Sequence, residues 1–224
     1  MILDQFKLTN RSALVIGGNR GLGIEMAKAL AEAGASVAVA ARDEDRNAEA
    51  VGILESLGEG KIMGVACDVL NEASVNEAVS QVNEELGSVD VLINSAGINY
   101  RGAIDDVPAE EFRKVMEVNV TGTWLGCKAV TPYMKKQNYG RILNISSIFG
   151  AVGFGDRTPY TASKGAVLNM TRALACELAP WKITVNAMLP GPFATEMNLP
   201  LLEDKEKYKA FVSNIPLNRW GELT

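Results

Sequence analysis

There is no histidine anywhere in the 224 residues. A serine–histidine–aspartate triad is thereby excluded, and so is the usual histidine-rich zinc site. Proton transfer must fall to Tyr, Lys, Ser, Asp, Glu, Arg or a bound cofactor, and no metal site is expected. Cysteine is scarce: Cys67, Cys127 and Cys176 are widely spaced and odd in number. That excludes a disulfide scaffold and suits reduced, mostly buried thiols in a cytoplasmic protein. No apolar run approaches the roughly 20 residues that span a bilayer. The opening MILDQFKLTNRS lacks the basic-then-apolar pattern of a signal peptide, so no membrane partner is expected. A surplus of positive charge is also missing. The net charge is -5, which argues against nucleic acid as the main partner. What is present, 47% hydrophobic and 22% charged residues, suffices for one large domain over residues 1–224. No repeat, linker or low-complexity segment divides it.

Short apolar runs alternate with helical periodicity along the chain. Ala13–Ile16 is apolar, and a glycine-rich turn leads from it into IEMAKALAEAGA, which reads as strand, turn, helix. Further strands are expected at 36–41, 61–67, 89–93, 141–145 and 183–188. Helical stretches lie between them, including a long one from Pro108 to about Lys136 and another over 158–178. Strands alternating with helices predict an α/β fold of the Rossmann type: a doubly wound parallel sheet with helices on both faces. Ligands then bind beyond the carboxyl ends of the strands, where the glycine turn, Arg42, Asp68, the 94–97 stretch, Ser147 and the 190–195 stretch all fall.

The turn is Gly17-x3-Gly21-x-Gly23. Its glycines permit a tight bend and close approach to a pyrophosphate, which the following helix N-terminus stabilises. An acidic residue at the end of the second strand would select NAD by its ribose hydroxyl, whereas arginine nearby accommodates the extra phosphate of NADP. Here Arg42 follows that strand and Arg20 sits in the turn, which favours NADP(H). Asp43 would favour NAD(H) if it faced the ribose instead, and either arginine could be an ordinary surface charge. Asp68 could accept from the adenine amino group or simply cap a helix. Further on, Tyr160 and Lys164 are four apart on one expected helix. An ammonium beside a phenol favours the phenolate, one way to draw a proton-transfer group from a residue whose ordinary pKa is about 10.

Taken in order, Gly17-x3-Gly21-x-Gly23, Asn94-Ser-Ala-Gly97, Asn119, Ser147, Tyr160-x-x-x-Lys164 and Pro190-Gly191 with Thr195 resemble the short-chain dehydrogenase/reductase family over nearly the whole chain. The resemblance implies an NAD(P)-dependent oxidoreductase that interconverts a secondary alcohol and a ketone. It implies Tyr160 as acid/base and Lys164 as the group that lowers its pKa and binds the nicotinamide ribose. Ser147 would hold the substrate carbonyl, and Asn119 a water linking Lys164 to solvent. It places the cofactor on Gly17, Asn19, Arg20, Gly21, Leu22 and Gly23, then on Arg42, Asp68 and Val69. Asn94, Ala96, Gly97, Tyr160, Lys164, Pro190, Gly191 and Thr195 complete the set. Ser146 is expected to be structural.

The sequence departs from the family pattern in three places. Ile16 stands where threonine is common, and Ser95 where a second asparagine is. The chain ends at Thr224, where members continue through another helix and a seventh strand. Ile183–Met188 would then be an exposed edge, to be covered by a further segment or by assembly as a homodimer or homotetramer. Substrate choice is expected in the loops 98–102 and 149–159 and in a lid over 193–220. That lid holds the apolar run 197–202 and a charged run 203–209 read as a solvated helix face. Arg157, with Arg101, could meet a small acidic carbonyl or alcohol substrate; each could otherwise be a surface charge. INYRGAI, PGPFATEMN and IPLNRWGE look like the branch holding gluconate 5-dehydrogenase-like enzymes, which act on sugar acids or polyols, and 3-oxoacyl-carrier-protein reductases. The former is the expectation. A reading of another class is a non-enzymatic dinucleotide-binding regulator on the same fold.

Overall fold

The apolar runs become the strands of one parallel sheet in a computed structural model, which describes residues 1–198 and 205–223. In chain order the elements are β1 (Ser12–Ile16), α1 (Gly21–Glu32), β2 (Ser36–Ala41), α2 (Glu44–Leu54), β3 (Ile62–Ala66) and α3 (Glu72–Leu86). There follow β4 (Val91–Asn94), α4 (Ala109–Met116), α5 (Gly122–Gln137), β5 (Gly140–Ile145), α6 (Thr158–Leu178), β6 (Ile183–Met188) and α7 (Lys205–Val212). The strand order is β3-β2-β1-β4-β5-β6, with every neighbouring pair parallel. The chain winds outward from β1 to β3, then crosses back to β4 on the other side of β1. That reversal between β1 and β4 is the topological switch point at which such sheets bind ligands.

β1 and β4 are buried along their whole length, as strands covered on both faces must be. Alternate residues feed two cores. Leu14, Ile16 and Leu92 point to one face, where Val75, Val79 and Val82 of α3 and Leu125, Val130 and Met134 of α5 meet them. Ala13, Val15 and Ile93 point to the other, against Ile24, Ala27 and Ala31 of α1 and Ala50 and Leu54 of α2. β3 and β6 are the outer strands of this sheet. Cys67 and Cys127 are buried and Cys176 is exposed; burial pushes the first two thiols up to about 11 and about 12. Among the described residues no helix is long and apolar enough to cross a membrane.

One local feature differs from the sequence expectation. The long helix from Pro108 is interrupted by one π-helical turn, Glu117–Thr121. Wide turns of this kind occur where a residue has been accommodated inside a helix, often at functional sites, and Asn119 sits in it. The run 197–202 extends into residues 199–204, which lie outside the described residues. The charged run after it is in part the helix α7.

Leu92 is fully buried on the central strand β4. Replacing it with Ala should lower unfolding stability by about 2–5 kcal/mol in a urea titration. A loss well under 1 kcal/mol would contradict this account of the core.

Candidate active site

A cleft of about 560 Å3 opens at the switch point. Gly17, Asn19, Arg20, Gly21, Leu22, Arg42, Asp68, Val69, Ala96, Gly97, Ser147, Tyr160, Lys164, Pro190, Gly191 and Thr195 all line it. Three residues singled out in the sequence stand behind its wall instead. A Cβ on Gly23 would collide with the Gly17 carbonyl oxygen, so this glycine lets α1 start hard against the turn. Asn94 is buried in the sheet, donating to Asn144 Oδ1 at 2.9 Å. Asn144 in turn donates to Thr171 of α6 at 3.0 Å, so this chain braces β4, β5 and α6. Asn119 is wholly buried and holds the loop after β4. Its Oδ1 accepts from Ile98 N at 2.8 Å, and its Nδ2 donates to Ile98 O and to Ser163 Oγ, each at 2.9 Å.

The glycine turn suits a pyrophosphate. Gly17 has φ +79°, and a Cβ there would lie 2.5 Å from Ala96 N, so only glycine lets the turn nest on the end of β4. No side chain caps α1, whose N-cap is Arg20. Its first N–H groups and the positive end of its dipole are therefore available to an anion in the cleft. Asn19 is steadied by Asn47 Oδ1 at 2.9 Å. Asn47 is buried on α2 and donates to the carbonyls of Ala41 and Val65, both at 3.0 Å. It thus joins the turn to the ends of β2 and β3.

At the adenosine end Arg42 faces the cleft while Asp43 caps α2, accepting from Arg46 N at 3.1 Å. Asp68 accepts from Leu70 N at 3.0 Å, and the cap of α3 is Asn71. Asp68 is therefore a cleft residue and not a helix cap.

At the other end, Lys164 is clamped to β5. Its Nζ donates to Ile145 O at 2.7 Å, and its own carbonyl accepts from Ser146 Oγ at 2.7 Å. Ser163 Oγ donates to Tyr160 O at 2.7 Å. Ser147 Oγ accepts from Phe149 N at 3.2 Å, which leaves its O–H to donate. The balance of charge differs from the expectation that Lys164 lowers the Tyr160 pKa. Burial raises Tyr160 above its ordinary value, opposed first by the Ser147 hydroxyl and then by the charges of Arg157 and Arg101. Lys164, with Nζ 5.7 Å from the Tyr160 ring centroid, is itself pushed down to about 8 by burial.

Arg157 is no surface charge. It is 6% exposed and lies 5.5–5.8 Å from the ring centroids of Phe149, Phe154 and Phe211. Burial, then the charge of Arg101, lowers it to about 10. With Ser147, Tyr160, Phe211 and Trp220 it lines a side cavity of about 60 Å3.

A family model described as short chain dehydrogenase matches residues 11–206. The chain belongs to the short-chain dehydrogenase family. It is 35% identical over 221 residues to a 5-keto-D-gluconate 5-reductase of Escherichia coli K12, covering 98% of this chain and 86% of that one. It is 36% identical over 219 residues to a 3-oxoacyl-[acyl-carrier-protein] reductase of Aquifex aeolicus, covering 97% and 87%. Among solved structures it is similar to a gluconate 5-dehydrogenase of Burkholderia cenocepacia in complex with NADP and tartrate, with TM-score 0.94 and 31% identity, covering 100% of this chain and 87% of that one.

No sequence motif singles out Asn47, Ser163, Arg46, Glu196 or the aromatic wall of Phe149, Phe154, Phe211 and Trp220. Asn47 carried a signal: it is a polar residue on the inward stripe of α2. The others depend on chain segments meeting in space.

Because burial holds Lys164 near 8 against about 10.4 unfolded, the unfolded chain binds more protons between those values. Lys164 therefore makes the fold more stable as pH rises through that window, and the gain is lost as pH falls through about 8. Urea unfolding of wild type and Lys164→Met between about pH 7 and 9.5 should show the wild type gaining on the variant. Parallel curves would contradict the buried lysine.

Proposed function

We propose that this protein interconverts a secondary alcohol and a ketone on a small carboxylate-bearing substrate, of the sugar-acid kind, using NADP(H). The observation that carries the substrate class is Arg157. Its guanidinium is buried beside Tyr160, and among the described residues no carboxylate lies within ion-pair distance of it. A buried cation without an ion pair is unfavourable, and a substrate carboxylate arriving at the side cavity would relieve it. The relatives support the same reading: one is named for 5-keto-D-gluconate, and one structure was solved with tartrate, a dicarboxylate. The side cavity of about 60 Å3 is small and walled by Phe211 and Trp220, which suits a compact substrate better than a long acyl chain. For the cofactor, Asp43 is engaged as the cap of α2, whereas Arg20 and Arg42 line the cleft. That choice of cations favours the phosphorylated ribose.

When bound, the nicotinamide supplies or accepts the hydride at the reacting carbon. The chain's own residues manage the oxygen. Ser147 can turn its O–H from Tyr160 to the carbonyl oxygen. Tyr160, kept protonated by burial, donates the proton that the developing alkoxide needs and takes it back in the reverse direction. Lys164 holds one N–H on Ile145 O and keeps others for the cleft. Arg157 orients the carboxylate so that the carbonyl meets Ser147 and Tyr160 together.

The test is oxidation of NADPH and of NADH against 5-keto-gluconate, neutral cyclic ketones and an acetoacetyl thioester. Tyr160→Phe should lose about 100-fold or more in turnover while still binding cofactor. Arg157→Met should lose about 10-fold or more on the carboxylate substrate and much less on neutral ketones. Equal losses on both would contradict the role of Arg157. Cofactor binding without turnover of any substrate would favour a dinucleotide-binding regulator.

A further inference from the structure

The short helical turn Glu196–Asn198 lines the cleft, and its first residue faces two arginines from distant parts of the chain. Glu196 Oε2 accepts from Arg20 Nη1 at 3.0 Å and from Arg46 Nη1 at 3.1 Å. Its Oε1 lies 3.4 Å from the same Arg46 nitrogen. Arg20 belongs to the glycine turn and Arg46 to the first turn of α2. Arg46 also meets Asp43, Nε to Oδ2 at 3.4 Å. For Arg20, Glu196 is the carboxylate partner among the described residues. Glu196 lines the same cleft as Arg20 and Arg42.

We propose that Glu196 is a carboxylate clasp on Arg20 and Arg46 that a phosphate on the cofactor's adenosine ribose must displace, so that it tempers the preference for NADP(H) over NAD(H). The inference rests on the oxidoreductase reading above. Carboxylate and phosphate are interchangeable partners for guanidinium, since both offer paired oxygens to its fork of N–H groups. They differ in charge: a phosphate monoester carries about -1.5 to -2 near pH 7, against -1 for a carboxylate. Offered both, two adjacent arginines prefer the phosphate. The three side chains are 40–60% exposed, so their ion pairs are weak enough to be exchanged and are screened by salt. Without a ribose phosphate nothing competes, and the clasp stays shut. Glu196 thus lowers NADP(H) affinity by the free energy of its own contacts and leaves NAD(H) affinity nearly untouched.

The experiment is fluorescence titration of the full chain with NADPH and NADH, with calorimetry using 2′,5′-ADP and 5′-AMP as fragments. These read binding without turnover. Glu196→Gln should bind NADPH and 2′,5′-ADP about 3- to 5-fold more tightly at low salt, with NADH and 5′-AMP changed less than about 2-fold. The gain should shrink in about 0.5 M salt and in an Arg46→Gln background. An unchanged NADPH-to-NADH ratio, an equal gain for both, or weaker NADPH binding would overturn the clasp while leaving the oxidoreductase reading intact. A wild-type protein that binds neither cofactor would overturn both.

Discussion

Two hydrogen bonds between Lys164 and the end of β5 carry the arrangement of this site. The lysine amine reaches forward to Ile145 O, and the lysine carbonyl is held from behind by Ser146 Oγ. One residue is thus gripped at both ends by the last residue of the strand and the one that follows it. α6 can neither slide along β5 nor rotate on it without breaking a buried bond to a polar or charged group, which is costly at low dielectric. Ser147, two residues past the end of the strand, and Tyr160, one turn back along the helix, are consequently held in register. Lys164 is read first as an electrostatic partner of Tyr160; in the free protein its most direct work is mechanical.

Around this clamp the sheet supplies everything else. The reversal of winding between β1 and β4 splays two connections apart and leaves the crevice. Asn119 then ties the loop after β4 to α6 through Ile98 and Ser163. Asn119 sits within the π-helical turn that interrupts the long helix. The floor is rigid on this account. The roof, formed by the 193–198 stretch, is anchored at its base by backbone bonds to Gly221 and at its tip by exposed contacts through Glu196 and by Asn198 to Arg101 at 2.9 Å. Rigid chemistry below and exchangeable contacts above are what a site needs if large ligands are to enter without disturbing the reacting groups.

Much of this was legible in the residues themselves. Runs such as SALVI and VLIN, continuous instead of alternating, announce strands covered on both faces, and the glycine spacing marks the turn at β1. The places where sequence reading strayed share a cause: each depends on burial or on a partner far along the chain. Asp43 could face a ribose or cap a helix, and only the start of α2 decides that it caps. Arg157 looks like a loop charge until three phenylalanine rings, one from α7, close over it. The Tyr160 pKa direction follows from burial, which no spacing encodes. Glu196 meets Arg20 and Arg46 across 176 and 150 residues, beyond the reach of any local pattern.

The central claim is that this crevice presents a substrate carbonyl to a bound nicotinamide and to the Tyr160 phenol at once. It is tested most directly by the fate of a label. NADPH deuterated at both positions of the nicotinamide C4 should yield, with 5-keto-gluconate, an alcohol product one mass unit heavier than that from unlabelled cofactor, the deuterium residing on the carbinol carbon. Product without the label, or labelled product formed equally well by Tyr160→Phe, would contradict the account.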